Sequence, residues 1–239
     1  MIKLFFFPVQ EGARERLLCL IPDEATREYI IATKNTALAD ERASAYALLF
    51  SLLKLTVGLT DAVIDRTADK PRLKLTSDSL EGDDGARVRA PQFNISHTEG
   101  MVAVAISDED ESIGIDIERQ MSQKRAERIL SRYRGLDTSV SYDGGISLCF
   151  AEICDTSGDL TFKNASDMLS RKLSREKGQS PECAATELWV RMESLLKADG
   201  GGFKSSSSLD SLSETVSVYS GVLEYSDINY YFALAVKYK

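Results

Sequence analysis

Histidine is almost missing from this chain: among 239 residues His97 is the only one. The four cysteines, Cys19, Cys149, Cys154 and Cys183, are scattered with no CxxC spacing. Most zinc patterns and any site built on several histidines are thereby excluded, and a reduced, cytoplasmic compartment is the expectation. Basic charge is also in deficit. With 29 Lys and Arg against 37 Asp and Glu, the net charge of −8 argues against a protein that coats a nucleic-acid backbone, so a polyanionic ligand must meet a local patch. No apolar stretch approaches the roughly 18 residues of a membrane-spanning helix. The run Leu4-Phe5-Phe6-Phe7, with one lysine before it and Pro8 after it, is too short for a signal-peptide core and predicts a buried strand. There is no Walker-type or GxGxxG phosphate loop, and one histidine does not assemble a Ser/His/Asp order for acyl transfer.

What is present is ordinary globular material, 43% hydrophobic and 28% charged, enough for one large domain or two small ones. A chain of this size buries roughly 70% of its unfolded surface, so neither disulfide nor metal is needed to hold the fold. Residues 39 to 55 set Ala45, Leu48, Leu49, Leu52 and Leu53 at helical spacing behind an acidic first turn and predict an amphipathic helix packed on a sheet. Residues 65 to 92, with Pro71, Pro91 and Glu81-Gly82-Asp83-Asp84-Gly85, read as a long loop. Met101 to Ile106 and Ile113 to Glu118 read as two strands of a hairpin joined by the acidic turn 107 to 112. Ser122 to Arg134 before Gly135, and Ser166 to Lys177 before Gly178, carry the cap residues of short helices. A further helix follows Pro181 through Trp189 to Asp199 and stops at Gly200-Gly201-Gly202. The tail supplies strands at 216–223 and 230–236, and the serine run 205 to 208 reads as a connection. The pattern predicts an α+β fold of two similar halves, 1–110 and 111–239, meeting at a seam near 107 to 120.

Three places could carry chemistry. In Ile113-Gly114-Ile115-Asp116-Ile117-Glu118 the alternation puts Asp116 and Glu118 on one side of a strand. Two such carboxylates are either a solvated face or a site for a hard divalent cation if the face is enclosed. Trp189, Glu193 and Lys197 stand four apart and share a helix face; Glu193 with Lys197 is equally an ordinary surface pair worth a few tenths of a kcal/mol. In Phe93-Asn94-Ile95-Ser96-His97-Thr98 the single histidine stands beside a serine, and a lone histidine is more often a satisfied structural residue than a catalyst.

In order and spacing these segments resemble the 4'-phosphopantetheinyl transferase superfamily, in particular its larger, surfactin-synthetase-activating class. Phe93 to Thr98 resembles that family's FNxSHS segment and Gly114 to Glu118 its GIDIE segment. The run from Trp189 to Lys197, WVRMESLLK, resembles its WxxKExxxK helix and follows GIDIE by about 75 residues. Lys70-Pro71 resembles the upstream KP pair, and Arg42 matches a basic position ahead of the first helix's apolar face. The resemblance implies a monomeric, pseudo-two-fold α+β enzyme that moves the 4'-phosphopantetheine arm of coenzyme A onto a serine of an acyl, polyketide or peptidyl carrier protein. Adenosine 3',5'-bisphosphate is released and Mg²⁺ is the implied cofactor. It implies Asp116, Glu118 and Glu193 as metal ligands, Lys197 on the phosphates, and Arg42, Lys70 and His97 on the 3'-phosphate end with Ser96 beside them. Glu193, or a water it orients, is the implied base. The chain departs from the family where Met192 stands in place of the lysine before the glutamate, with Arg191 one residue off, a rotation of about 100° around the helix. Residues 136 to 180 do not align.

Overall fold

The computed structural model describes residues 1–67, 70–74, 90–109, 111–133, 145–153, 159–172, 179–200 and 216–238. Within them the protein is mixed α+β, in four layers: helix, sheet, sheet, helix. The expected loop at 81–85, the glycines at 135, 178, 201 and 202, and the serine run 205–208 lie outside the described residues.

Strand β1 (Ile2–Pro8) is apolar at nearly every position because it is central in the first sheet and buried on both faces. β4 (Gln92–Thr98) and β5 (Met101–Ser107) form a hairpin beside it, and β7 (Ile146–Ile153) and β8 (Leu160–Asn164) complete the order β4-β5-β1-β7-β8. β1 runs antiparallel to β5 and parallel to β7, so the first sheet takes strands from both sides of residue 110. Helices α1 (Arg14–Leu18), α2 (Glu24–Ile31) and α3 (Thr36–Val57) follow β1. Alternation then divides the residues: Phe5, Phe7, Val102 and Val104 pack with Leu48, Leu49 and Leu52 of α3, whereas Leu4, Phe6 and Ala103 turn the other way.

That second face meets Ile113, Ile115 and Ile117 of β6 (Ser112–Arg119) and Phe232 and Leu234 of β11 (Ile228–Lys237). These strands belong to the second sheet, ordered β6-β11-β10-β9 with β10 at Val216–Tyr225 and β9 at Leu169–Lys172. Helix α5 (Pro181–Asp199) covers its outer face through Val190, Leu195 and Ala198, and α4 (Gln123–Arg132) packs beside α5. No helix among the described residues is long and apolar enough to cross a membrane.

Several expectations are corrected. The strands at 101–106 and 113–118 exist but do not form a hairpin with each other: β4 and β1 occupy both edges of β5, so the chain crosses to the second sheet and β6 pairs with β11. The segment 65–92 is not all loop. β2 (Val63–Asp65) and β3 (Arg72–Lys74) pair in a small sheet of their own. The helix expected from Ser166 is a single 3₁₀ turn, Ser166–Met168, and then β9, because the open edge of β10 offers backbone partners that outweigh weak local helix signals. The helix expected from 39 begins one turn earlier, where the Asn35 side chain accepts from the Leu38 N–H, so Asp40 is free to accept from Arg14 instead. The α5 span agrees with the expectation, from Ser180 capping the Cys183 N–H to Gly200 in the left-handed region at φ 84°.

Candidate functional site

β6 is an edge strand of the second sheet, and its outward N–H groups need partners. They find side chains of β4 rather than backbone. Asn94 Oδ1 accepts from Ile115 N at 2.8 Å and Ser96 Oγ accepts from Ile117 N at 3.3 Å. Both side chains belong to buried residues, so alternate positions of β4 stitch the edges of the two sheets together. The same register brings Ser96 Oγ to 2.8 Å from Asp116 Oδ1, as donor, and Thr98 Oγ1 to 3.3 Å from Glu118 Oε2.

On its outer face β6 meets α5 at Gly114, where a Cβ atom would stand 2.2 Å from the Ser194 carbonyl oxygen and 2.4 Å from the Ala198 nitrogen. Only glycine permits that approach. It carries Lys197 onto β6, where Nζ donates to Asp116 Oδ1 at 2.6 Å, Ile115 O at 3.0 Å and Ser96 Oγ at 3.2 Å. Asp116 is 6% exposed, and its Oδ2 is buried with no hydrogen-bond partner among the described residues. One turn earlier on α5, burial and the neighbouring charge of Asp116 raise the Glu193 pKa above the ordinary carboxylate value; Lys197 opposes the shift, Glu118 adds to it and Arg125 opposes it. Glu118 Oε1 accepts from Arg125 Nη2 at 3.0 Å.

The helix face of Trp189, Glu193 and Lys197 thus lies along the face of Asp116 and Glu118, and the fold unites residues 96, 116, 118, 193 and 197. Among the described residues no three Asp, Glu, His or Cys side chains are gathered closely enough to form a ready cage for a metal ion. The donor chemistry nevertheless suits Mg²⁺, which is held through one or two carboxylates with waters and phosphate oxygens. The unpartnered Asp116 Oδ2 is the oxygen left over for it.

Arg42 and His97 lie on the other side of β4. With Tyr29, Tyr46, Ile95 and Pro71 they line a cavity of about 180 Å³. His97 Nδ1 donates to Glu41 Oε2 at 2.7 Å, and Arg42 donates to Thr33 Oγ1 at 2.7 Å while its guanidinium lies 4.5 Å over the Tyr29 ring. Arg66, in a segment that reads as loop, stacks at 5.0 Å from Tyr29 and 4.9 Å from Tyr46. Lys70 is not brought to Arg42 and His97. It lines a separate cavity of about 620 Å³ with Arg72, Gln92, Ser112 and Asp199, the walls of the two cavities sharing Pro71 and Phe93. Its Nζ donates to Ile113 O at 2.6 Å, and burial with the Arg72 charge lowers its pKa to about 8.

Sequence reasoning missed Asn94, Thr98, Arg66, Tyr29, Tyr46 and Arg125. Asn94 and Thr98 could have been found, since they alternate with Ser96 along one strand; the others are joined only by tertiary packing. Met192 is fully buried with Leu196 against Tyr133 and Trp189, and Arg191 is held by Glu187 at 3.0 Å. No protein-family model matches the chain, and no curated protein matches it either.

Proposed function

We propose that this protein is a 4'-phosphopantetheinyl transferase, passing the phosphopantetheine arm of coenzyme A to a serine of an acyl, polyketide or peptidyl carrier protein. The observation that carries the reading is the convergence at Asp116. Three segments that separately have ordinary explanations meet there, through Ser96 Oγ at 2.8 Å and Lys197 Nζ at 2.6 Å. The pseudo-two-fold topology, the halves 1–110 and 111–239 and the monomeric state belong to this reading. Lying between two sheets and one helix, the site suits a ligand bound across that seam.

In the reaction the carrier serine oxygen forms a bond to the phosphorus that bears pantetheine, and the bond from that phosphorus to the bridging oxygen breaks. The electron pair leaves on adenosine 3',5'-bisphosphate. Glu193, or a water it orients, takes the serine proton. Lys197, already an ammonium beside Asp116, contributes positive charge to the diphosphate. Arg42 and His97, sharing one cavity, bind the 3'-phosphate end. Mg²⁺, when bound by Asp116, Glu118 and Glu193, would neutralise the diphosphate and the charge that develops on the departing phosphate.

The test is incubation of the chain with coenzyme A, Mg²⁺ and apo carrier proteins. A mass gain of one phosphopantetheine arm on the carrier serine, lost with Asp116→Ala, is expected. No modification of fatty-acid, polyketide or peptide-synthetase carriers would overturn the enzyme reading. A second reading, a homologue that binds coenzyme A or a carrier without transfer, is favoured by the buried Met192, which stands where the helix it resembles has a lysine directly before the glutamate. Coenzyme A binding without transfer would select it.

A further inference from the structure

Each acid of the pair on β6 is held by a resident base. Lys197 holds Asp116, and Arg125, from the first turn of α4, holds Glu118 at 3.0 Å. Arg125 also lies 5.2 Å over the ring of Trp189, the single tryptophan, so its guanidinium bridges the carboxylate and the α5 face that carries Glu193. Its positive charge reaches Glu193, where it opposes the raised pKa. Two neighbouring positions on α5 supply no substitute, since Met192 is buried and Arg191 is committed to Glu187. Arg125 is not committed in that way: its side chain is 39% exposed, so a ligand can reach it from solvent. A guanidinium fork accepts phosphate in place of carboxylate without losing charge-assisted hydrogen bonds.

We infer that Arg125 is a diphosphate-binding residue of this site which, in the ligand-free chain, is parked on Glu118 and Trp189. It leaves Glu118 for the phosphate oxygens of incoming coenzyme A and so frees that carboxylate for the divalent cation. The inference rests on the transferase reading and adds a coupling to it. Mg²⁺ alone must part Arg125 from Glu118 without giving it a new partner, and coenzyme A alone leaves Glu118 unpaired, so each ligand tightens the binding of the other. Linkage requires that the two effects be equal.

Calorimetric titration of Mg²⁺ and coenzyme A, separately and together, tests this, with Trp189 fluorescence as a second reading of where Arg125 lies. In the wild type each ligand is expected to strengthen the other, and Trp189 emission to change when coenzyme A and Mg²⁺ are both present. In Arg125→Met, coenzyme A in Mg²⁺ is expected to bind roughly 10-fold to 100-fold more weakly, the scale of a lost charged hydrogen bond. Mg²⁺ alone is expected to bind more tightly, with the coupling and the emission change lost. Arg125→Lys keeps the charge without the fork and is expected to fall between. Wild-type affinity and an unchanged emission response in Arg125→Met would overturn the inference and leave the transferase reading standing. A wild-type chain that binds no coenzyme A in Mg²⁺ would overturn both.

Discussion

Lys197 Nζ stands 2.6 Å from Asp116 Oδ1, while the other carboxylate oxygen of Asp116 is buried without a partner among the described residues. The ammonium therefore neutralises a carboxylate that the fold has removed from water, and either partner alone is costly. Lys197→Met is expected to lower stability by about 1–3 kcal/mol, because Asp116 is left buried and uncompensated. Melting with and without Mg²⁺ checks this. The cation should raise the Tm of Lys197→Met more than that of the wild type. An equal Mg²⁺ shift in the two proteins would remove Asp116 from the metal's reach. In the transfer assay, Asp116→Asn is expected to lower kcat by several orders of magnitude, since it weakens charge stabilisation in the transition state.

Gly114→Ala tests whether the helix contact assembles the site. Its methyl group would meet the Ser194 carbonyl oxygen and the Ala198 nitrogen, both backbone atoms that cannot swing aside, so α5 must retreat from β6. A loss of about 1–3 kcal/mol in urea unfolding is expected, together with a marked fall in transfer as Lys197 and Glu193 move away from Asp116. A variant of wild-type stability and activity would mean that α5 tolerates displacement and that the approach at Gly114 is incidental.

Arg42 and His97 bear on binding more than on turnover. If they hold the 3'-phosphate, Arg42→Ala and His97→Ala should raise KM for coenzyme A with little change in kcat, because ground and transition states share that contact. Dephospho-coenzyme A lacks the phosphate and should scarcely register either substitution. Equal weakening of both compounds by Arg42→Ala would assign Arg42 instead to its stack on Tyr29.

Lys70 gives a pH signature distinct from the carboxylates. Burial lowers its pKa from 10.5 to about 8, so between about pH 8 and pH 10.5 the folded chain binds fewer protons than the unfolded one. Stability must rise with pH through that window as the strained ammonium is discharged. Relative to Lys70→Met, the wild type is expected to gain up to about 3 kcal/mol across it. Urea unfolding at pH 7.5 and pH 10 measures the difference. Parallel behaviour of the two proteins would show that Lys70 keeps its charge against the Ile113 carbonyl.

Local pattern was sufficient wherever a residue's partners were neighbours in sequence or its periodicity matched its burial. The alternating isoleucines of β6 gave the strand and put Asp116 and Glu118 on one face; the run from Pro181 to Asp199 before Gly200 gave α5 and the shared face of Trp189, Glu193 and Lys197. Periodicity is a property of the backbone itself, so these features are written in the chain. The partner of each face is not. That β5 pairs with β4 and β1 rather than with β6 depends on which strands already occupy its edges, and Leu169–Lys172 becomes a strand because β10 has an open edge. Lys70, near Arg42 and His97 only by analogy of motif, lies in another cavity because its amine is turned toward the Ile113 carbonyl. The sequence determined the chemical groups and the faces that bear them. Tertiary structure alone decided that Lys197 meets Asp116 across 81 residues and that Arg125 reaches Glu118, since distance in space follows from packing, which no local rule encodes.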